Sequence, residues 1–186
     1  MKPMLLGTSL PFDNPDWIFE LKLDGFRAII YIEEDVKILS RSGRDITNDY
    51  PELQKLKAAP CILDGEIIAL SGDRPDFGKL MRKDGTVQFV AFDILRLDGR
   101  DLTCLPLTER KKILAGTIKE TDRLVVCRYV DTCGIALFQE ACARNLEGIV
   151  AKRKASIYVP GKRTRDWLKI KCLSHEEYLK RGRGIT

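Results

Sequence analysis

The residue with the most chemical potential in this sequence is a lysine that stands just before a turn signal. Lys22 ends a β-rich run and precedes Asp24 and Gly25 in the sequence KLDG. Two β-rich runs joined by Asp-Gly are typical of a hairpin, so we predict that this lysine lies at a strand end and faces a cleft. Its amine can act as a nucleophile if nearby cations favour the neutral form, and Arg27 and Arg41 are candidates. Taken alone, the pattern more often marks an ordinary surface lysine beside a turn.

Two carboxylates and three further lysines occupy comparable positions. Glu66 follows an Asp-Gly pair, and Glu147 precedes a glycine, with Lys152 five residues further on. Lys169 and Lys171 alternate with apolar residues in the sequence WLKIK, which predicts that they point to one face of a strand. Carboxylates bind Mg²⁺ and ribose hydroxyls, whereas cations neutralise phosphate charge. The set therefore predicts a metal–nucleotide site.

The elements that must position these residues are short strands with a few helices. Strands are predicted at residues 17–22, 26–32, 36–39, 61–63, 66–70, 87–95 and 123–127. Helices are predicted from Asp49 through Leu56, from Thr108 through Leu114, and along residues 135–145. Because strands and helices mix without regular βαβ alternation, we predict an α+β fold with largely antiparallel sheets.

The composition indicates a folded chain without a membrane segment. The 186 residues are 44% hydrophobic and 32% charged, which supports a core and excludes a disordered chain. No apolar run approaches the roughly 18 residues that a membrane span needs, and the N-terminal stretch of residues 1–7 is too short for a signal peptide. We expect a soluble, cytoplasmic protein.

Positive charge is concentrated at the C-terminal end. The chain carries a net charge of +5, but residues 152–186 alone hold 11 basic and 3 acidic residues, an excess of +8. A basic segment on a nearly neutral body is the electrostatic pattern of a phosphate-binding or nucleic-acid-binding surface. A solvated terminus with no partner explains the charge equally well.

The cysteines and the single histidine limit the kinds of site that the chain can form. The six cysteines contain no C-x-x-C pair, and we predict core roles for them rather than a zinc site or a disulfide framework. They are Cys61, Cys104, Cys127, Cys133, Cys142 and Cys172. His175 is the only histidine, which argues against a catalytic triad or a histidine-based metal site, so any metal would rest on carboxylates.

Six short motifs, taken in order, resemble motifs I, Ib, III, IIIa, IV and V of the covalent nucleotidyltransferases. They are KLDG at 22–25, RSG at 41–43, DGE at 64–66, FDIL at 92–95, EGIVAK at 147–152 and KIK at 169–171. Within that superfamily the sequence is most similar to the adenylation domain of ATP-dependent DNA ligases, in particular to the bacterial ligase D end-joining group. The resemblance extends from about residue 10 to residue 172.

The resemblance implies a fold and a reaction. We expect two sheet-based lobes with flanking helices around an ATP cleft, and one adenylation domain over residues 1–186 without the OB-fold domain that usually follows. In the implied reaction ATP adenylates Lys22, the AMP passes to a DNA 5′-phosphate, and the adjacent 3′-hydroxyl seals the nick. Without the OB-fold, nick sealing by this chain alone and rapid self-adenylation are both in doubt.

The resemblance also implies roles for individual residues. Lys22, Lys169 and Lys171 are the expected catalytic residues. The expected ATP-binding residues are Glu20, Arg27, Arg41, Glu66, Phe92, Ile149 and Lys152, with adenine stacked between Phe92 and Ile149 or Val150. Glu66 and Glu147 are the expected ligands of Mg²⁺ or Mn²⁺. Arg44, Arg163, Arg165, Lys180, Arg181 and Arg183 are the expected nucleic-acid-binding residues.

The expected partners follow from the same family. They are nicked or broken duplex DNA, end-joining proteins such as Ku or a polymerase/primase, and a separate OB-fold domain. An RNA ligase or a capping-type transferase would share the lysine chemistry and stays open as an alternative. A non-catalytic nucleic-acid-binding module is a third class, but the intact KLDG motif and both carboxylates argue against a retired active site.

Overall fold

A computed structural model describes residues 1–72 and 74–172, which form two β-sheets with short helices. The first sheet contains, in spatial order, β1 (Leu5–Thr8), β12 (Arg163–Lys171), β11 (Gly148–Arg153), β2 (Trp17–Leu21) and β10 (Tyr129–Asp131). The second contains β4 (Val36–Ser40), β3 (Phe26–Ile32), β5 (Cys61–Ser71), β7 (Thr86–Leu97) and β8 (Arg100–Asp101). In addition, β6 (Arg74–Pro75) pairs with β5, and β9 (Leu124–Val126) pairs with β7.

The strand pairing is mostly antiparallel, as predicted. Within the described residues, parallel pairing occurs only between β1 and β12 and between β7 and β9. The longest contact joins β5 and β7, whose register shifts between Ile62 and Leu63 and again between Asp64 and Gly65. The predicted α+β class is confirmed. The strand predicted in two pieces between residues 61 and 70 is the single strand β5.

Three α-helices lie among the described residues: α1 (Phe77–Arg82), α2 (Leu107–Thr117) and α3 (Gly134–Ala143). The predicted second and third helices are confirmed as α2 and α3. The helix predicted from Asp49 is wrong, since that segment forms two 3₁₀ turns, Thr47–Asp49 and Leu53–Lys55. The helix α1 was not predicted, because its six residues are too few to show a periodic pattern.

The predicted hairpin around the KLDG motif is wrong. The strand β2 pairs with β10 and β11 in the first sheet, whereas β3 pairs with β4 and β5 in the second. Gly25, the glycine of the motif, is needed because the backbone of β5 passes close to it, and not because it forms a hairpin turn. A Cβ atom on Gly25 would lie 2.2 Å from the carbonyl oxygen of Ile67 in β5, a distance that no side chain tolerates. Residues 22–25 therefore cross from one sheet to the other, and Lys22 lies at that crossing.

Buried apolar residues join the two sheets and the helices. Ile18 and Trp167 of the first sheet belong to one cluster with Ile29, Ile68 and Phe92 of the second. The helix α3 covers the other face of the first sheet, where Ala141 packs with residues of β2, β11 and β12. The interface between the sheets is thus partly apolar, and the polar residues described below lie within it.

The cysteines depart from their predicted core role. Cys61 and Cys127 are buried as expected, but Cys104 and Cys133 are exposed. The remaining two form a disulfide, Cys142–Cys172, between α3 and the residue that follows β12. Their 30-residue separation in sequence gives no sign that the end of α3 lies beside the end of β12. No helix in the described part of the chain is long and apolar enough to cross a membrane.

Candidate nucleotide-binding site

Lys22 is anchored at the crossing between the sheets. Its backbone N–H donates to the carbonyl of Gly148 at 2.9 Å, and its Nζ donates to Glu147 Oε2. The other oxygen of Glu147 lies 2.9 Å from Lys171 Nζ. Burial raises the pKa of Glu147, but hydrogen bonds from the two lysines outweigh it and hold the pKa below its ordinary value. The carboxylate thus holds the amine of Lys22 in position.

Glu20 lies in a buried charge cluster with two lysines. One carboxylate oxygen accepts a hydrogen bond from Lys111 Nζ, and the other lies 2.7 Å from Lys152 Nζ. All three side chains are less than 5% exposed. Burial raises the pKa of Glu20, but the charges of both lysines bring it below its ordinary value. Glu20 is therefore an anion inside the protein, and two lysines lie against its carboxylate.

Lys152 is the less satisfied of the two lysines. Although Nζ lies 2.7 Å from Glu20, it has no well-directed hydrogen bond within the described residues, so the contact is an ion pair. The same atom lies 4.0 Å from the ring centre of Phe92 and 4.2 Å from that of Trp167. Burial and the charge on Lys111 lower the pKa of Lys152 more than Glu20 raises it. A buried cation with an incomplete set of acceptors is suited to receive an anionic ligand.

Arg27 is held by a buried carboxylate. Its Nε and Nη2 each donate to Asp64 at 2.7 Å, and Nη2 also lies 3.2 Å from the carbonyl of Met4. Asp64 is fully buried and accepts a third hydrogen bond, from the hydroxyl of Tyr158 at 2.6 Å. Burial lowers the pKa of Arg27, but Asp64 more than compensates, so the pKa stays above its ordinary value. Within the described residues, Nη1 makes no side-chain hydrogen bond.

Glu66 lies beside Arg27, since the two are register partners in β5 and β3. Burial raises the pKa of Glu66 to about 7, against the opposing charges of Arg27 and Lys22. The carboxyl group therefore changes its charge near neutral pH. This residue, Lys22 and Arg27 line two cavities at once, so they mark the passage between them.

The first cavity lies between the sheets. Its walls include Glu20, Phe92, Val150, Lys152 and Trp167. Adenine stacking on Phe92 stays a prediction, and it requires Lys152 to move aside, because the lysine contacts that ring.

Ile149, which was expected to bind ATP, does not line the first cavity. Its side chain is fully buried in the core beneath α3, and its neighbour Val150 lines the first cavity instead. Successive strand residues point to opposite faces, so only one of the two can reach the cavity.

The second cavity is larger and more open, with a volume of about 770 Å³. Arg41, Ser42 and Arg44 line it together with Lys83 at the end of α1. Asp49 lies 3.6 Å from Arg44 and 3.2 Å from Lys83. This cavity is wide enough for a larger phosphate-bearing ligand, and it leads directly to Lys22.

Other predicted site residues are less central. Lys169 is half-buried on β12 and lines neither cavity. Arg163, which donates to the carbonyl of Leu6, and Arg165 are exposed at the start of β12. Lys180, Arg181 and Arg183, together with His175, lie outside the described residues.

Several residues that build the site were not predicted. Asp93 is fully buried and receives two hydrogen bonds of 2.8 Å from Arg110, which also donates to the carbonyl of Ser156 at 3.0 Å. Asp93, like Asp64, interrupts an apolar strand, and a carboxylate in such a strand signals a buried partner. No signal identifies that partner, because Arg110 and Lys111 look like the solvated face of a helix.

Comparison with known proteins identifies the family. The sequence profile of the ATP-dependent DNA ligase domain matches residues 8–171. This chain belongs to that family. The SPbeta prophage-derived DNA ligase-like protein LigB of Bacillus subtilis is 34% identical to it over 192 residues, which cover 98% of the chain and 71% of that protein. The multifunctional non-homologous end joining protein LigD of Mycolicibacterium smegmatis is 35% identical, and the match covers 94% of the chain but 24% of that protein.

Solved structures agree with this assignment. A mycobacterial DNA ligase D complexed with ATP and MES superposes with a TM-score of 0.83 at 32% identity, covering 94% of this ligase domain and 61% of that chain. A Chlorella virus DNA ligase-adenylate gives a TM-score of 0.65 at 17% identity, which shows a shared fold. The predicted architecture of a DNA ligase adenylation domain is confirmed.

A divalent metal fits the carboxylates of the site. Among the described residues no group of three or more potential ligands forms a closed metal site. Mg²⁺ is commonly bound by one or two carboxylates, with phosphate oxygens and water completing the shell. Glu66 and Glu147 both act electrostatically on the same region, since Glu147 contributes to the pKa of Glu66. Their oxygens match that donor set.

Proposed function

We propose that this domain transfers AMP from ATP to Lys22 and from there to the 5′-phosphate of a DNA break. The observation that carries the proposal is the position of Lys22, which is fixed between sheets at the passage between two cavities and contacts Glu147. One cavity is buried and partly aromatic, as a base requires, and the other is open and rich in arginine, as a phosphate-bearing strand requires.

The first step joins Lys22 to the nucleotide. The neutral amine attacks the α-phosphorus of ATP, a nitrogen–phosphorus bond forms, and pyrophosphate leaves with the electron pair of the broken phosphorus–oxygen bond. An ammonium nitrogen has no lone pair, so the nitrogen of Lys22 gives up one proton to water before the attack and a second proton to water as the new bond forms. Glu147, which accepts a hydrogen bond from Nζ, orients the amine for this attack. Mg²⁺ or Mn²⁺, when bound by Glu147 and Glu66 with phosphate oxygens, would neutralise triphosphate charge.

The surrounding residues divide between nucleoside and phosphates. The buried cavity would hold adenine between Phe92 and Val150, and Glu66 would bind a ribose hydroxyl. Arg27 and Lys152 reach the same cavity as cations with unused hydrogen-bonding capacity, so they would bind the phosphates. Lys169 and Lys171 would stabilise the departing pyrophosphate.

The open cavity would bind the DNA strand that accepts AMP. Arg41 and Arg44 line it and are placed to contact backbone phosphates. The adenylated 5′-phosphate would then be attacked by the 3′-hydroxyl, which releases AMP and closes the nick. The chain spans about a quarter of the length of the mycobacterial relatives. We therefore propose that nick sealing takes place in a larger assembly. This assembly would include an OB-fold domain and end-joining proteins such as Ku or a polymerase/primase.

The test is covalent labelling. The protein is incubated with α-labelled ATP and Mg²⁺ and separated on a denaturing gel, and a labelled band is expected. Lys22→Ala should remove it, whereas Lys37→Ala, an exposed lysine on β4, should not. Acid should release the label and alkali should spare it, as a phosphoramidate requires. Label that survives in Lys22→Ala would refute the proposal.

The same assay separates the related activities. Labelled GTP in place of ATP identifies a capping-type transferase. An RNA 5′-phosphate that accepts AMP in place of DNA identifies an RNA ligase.

A further inference from the structure

Tyr158 connects the two sheets at the site through its hydroxyl group. It belongs to the segment between β11 and β12, which are strands of the first sheet, and it is 2% exposed. Its hydroxyl donates to Asp64 of the second sheet at 2.6 Å and accepts from the backbone N–H of Met4 at 2.9 Å. Its ring packs edge-on against Trp167, with 5.6 Å between ring centres. The hydroxyl oxygen of Tyr158 therefore links the Met4 segment and the Tyr158 segment to the buried carboxylate of Asp64.

Among the described residues, Asp64 is the carboxylate that pairs with Arg27, and Tyr158 contacts the same group. Asp64 has no exposed surface, so each of its lone pairs needs a donor inside the protein. The Nε and Nη2 atoms of Arg27 and the hydroxyl of Tyr158 supply three. The tyrosine and the arginine thus share Oδ2, and the position of this oxygen sets the plane of the guanidinium.

The plane of the guanidinium matters because Arg27 reaches the reacting group. It lines both cavities together with Lys22, and its central carbon lies 4.7 Å from the ring centre of Phe92. With two of its nitrogens committed to Asp64, the third can contact a nucleotide only if the fork is held at a fixed angle.

We infer that Tyr158 is a positioning residue for adenylation, acting through Asp64 to aim Arg27 at the nucleotide. The inference rests on the proposed transfer of AMP to Lys22. Loss of the hydroxyl leaves Oδ2 of Asp64 with one donor, so the carboxylate and the guanidinium attached to it can tilt. A misalignment of about 1 Å at a phosphate contact is enough to slow a group transfer measurably.

The experiment is a double-mutant cycle. Tyr158→Phe is made in the wild-type chain and in Arg27→Lys, which cannot form the two-pronged contact with Asp64. The single-turnover rate of Lys22 adenylation and its ATP dependence are measured for all four proteins. Tyr31→Phe is the matched control, because the hydroxyl of Tyr31 likewise accepts a hydrogen bond, from the N-terminal ammonium group of Met1, while Tyr31 lines neither of the two cavities.

The two roles of Tyr158 give different results. If it acts through Arg27, Tyr158→Phe slows adenylation by about tenfold in the wild-type chain and by less than about twofold beside Arg27→Lys. Tyr31→Phe leaves the rate unchanged. An equal loss in both backgrounds, or no loss in either, would overturn the inference. A Tyr158→Phe protein that melts below the assay temperature counts equally against it, since the role is then structural.

The outcome is separable from that of the proposed function. If the wild-type chain forms no adduct, the proposed function fails, and the cycle is measured by calorimetry with α,β-methylene-ATP. Weaker binding that Arg27→Lys abolishes would still support the role of Tyr158, and additive binding losses would refute it.

Discussion

Replacing Lys111 by methionine tests whether the buried charge cluster supports the nucleotide cavity. Methionine keeps the length and the apolar stem of the lysine and removes the ammonium group. Lys111 hydrogen-bonds Glu20, and their side chains are 4% and 3% exposed. Its neighbour Lys112 is exposed on the same helix, so Lys112→Met is a matched control.

The expected loss of stability follows from the partner that remains. Breaking a buried ion pair by removing one partner costs about 3–5 kcal/mol. Here Glu20 keeps Lys152 at 2.7 Å, which compensates part of the loss. We therefore expect the free energy of unfolding to fall by about 2–3 kcal/mol, and Tm by about 4–12 °C for a domain of this size.

The expected effect on activity concerns the second lysine of the cluster. Without Lys111, Lys152 becomes the sole counter-ion of Glu20, and its pKa rises because a repelling charge is gone. The ammonium of Lys152 is then held more firmly on the carboxylate and is less available to phosphate. We expect the ATP concentration needed for half-maximal adenylation to rise by about tenfold, the scale of one charge-assisted hydrogen bond.

The measurements are thermal unfolding and adenylation rate against ATP concentration. Lys112→Met should match the wild type in both. Equal melting temperatures for the two variants would show that the Lys111–Glu20 contact does not contribute to stability. A lower Tm with unchanged ATP dependence would separate the cluster from nucleotide binding.

Three further predictions concern the reacting groups and the basic surface. Burial raises the pKa of Glu66 to about 7, so its carboxylate gains a proton below that pH. The adenylation rate should therefore fall as the pH is lowered from about 8 to about 6. A flat pH profile over this range would contradict the role proposed for Glu66. Glu147→Ala should slow adenylation by about 10² or more, with partial recovery in Glu147→Asp, and equal rates across a Mg²⁺ titration would refute this. Replacing Arg163 and Arg165 by glutamine should reduce the slope of log binding constant against log salt concentration, measured on nicked duplex DNA, by up to about 1.8. The adenylation rate should stay unchanged. An unchanged slope would show that neither arginine contacts DNA.

The sequence alone carries most of the chemistry of this domain. The lysine of the KLDG motif, the two glutamates and the C-terminal lysines are recognisable as candidates from residue type and order, because the proposed reaction needs such groups whatever holds them. Composition and the mixture of strands and helices were also sufficient for the α+β class. The helix α3 was predictable because its ten residues carry a periodic apolar face, and α2 was predictable from Thr108 as a helix start before Ile113 and Leu114.

Local patterns failed where pairing was decided at long range. Asp-Gly between two strands predicted a hairpin, but Gly25 is needed because β5 passes 2.2 Å from where a side chain would begin. The sequence also left open whether Ile149 or Val150 faces the cavity, since the side of the strand that faces it depends on what packs against each face.

The tertiary structure alone decided which charges meet. Lys111 and Glu20 are 91 residues apart, and Tyr158 and Asp64 are 94 apart. In the sequence of a helix such as α2, a lysine that becomes buried cannot be distinguished from one that stays exposed, because the sequence does not show which turn of the helix will pack over a carboxylate. The energetic need of a buried anion for partners is visible in an apolar strand, but the identity of those partners depends on folding that brings both sheets together. The sequence thus determined which groups are candidates for the reaction, and the packing of the two sheets determined the residues that hold them.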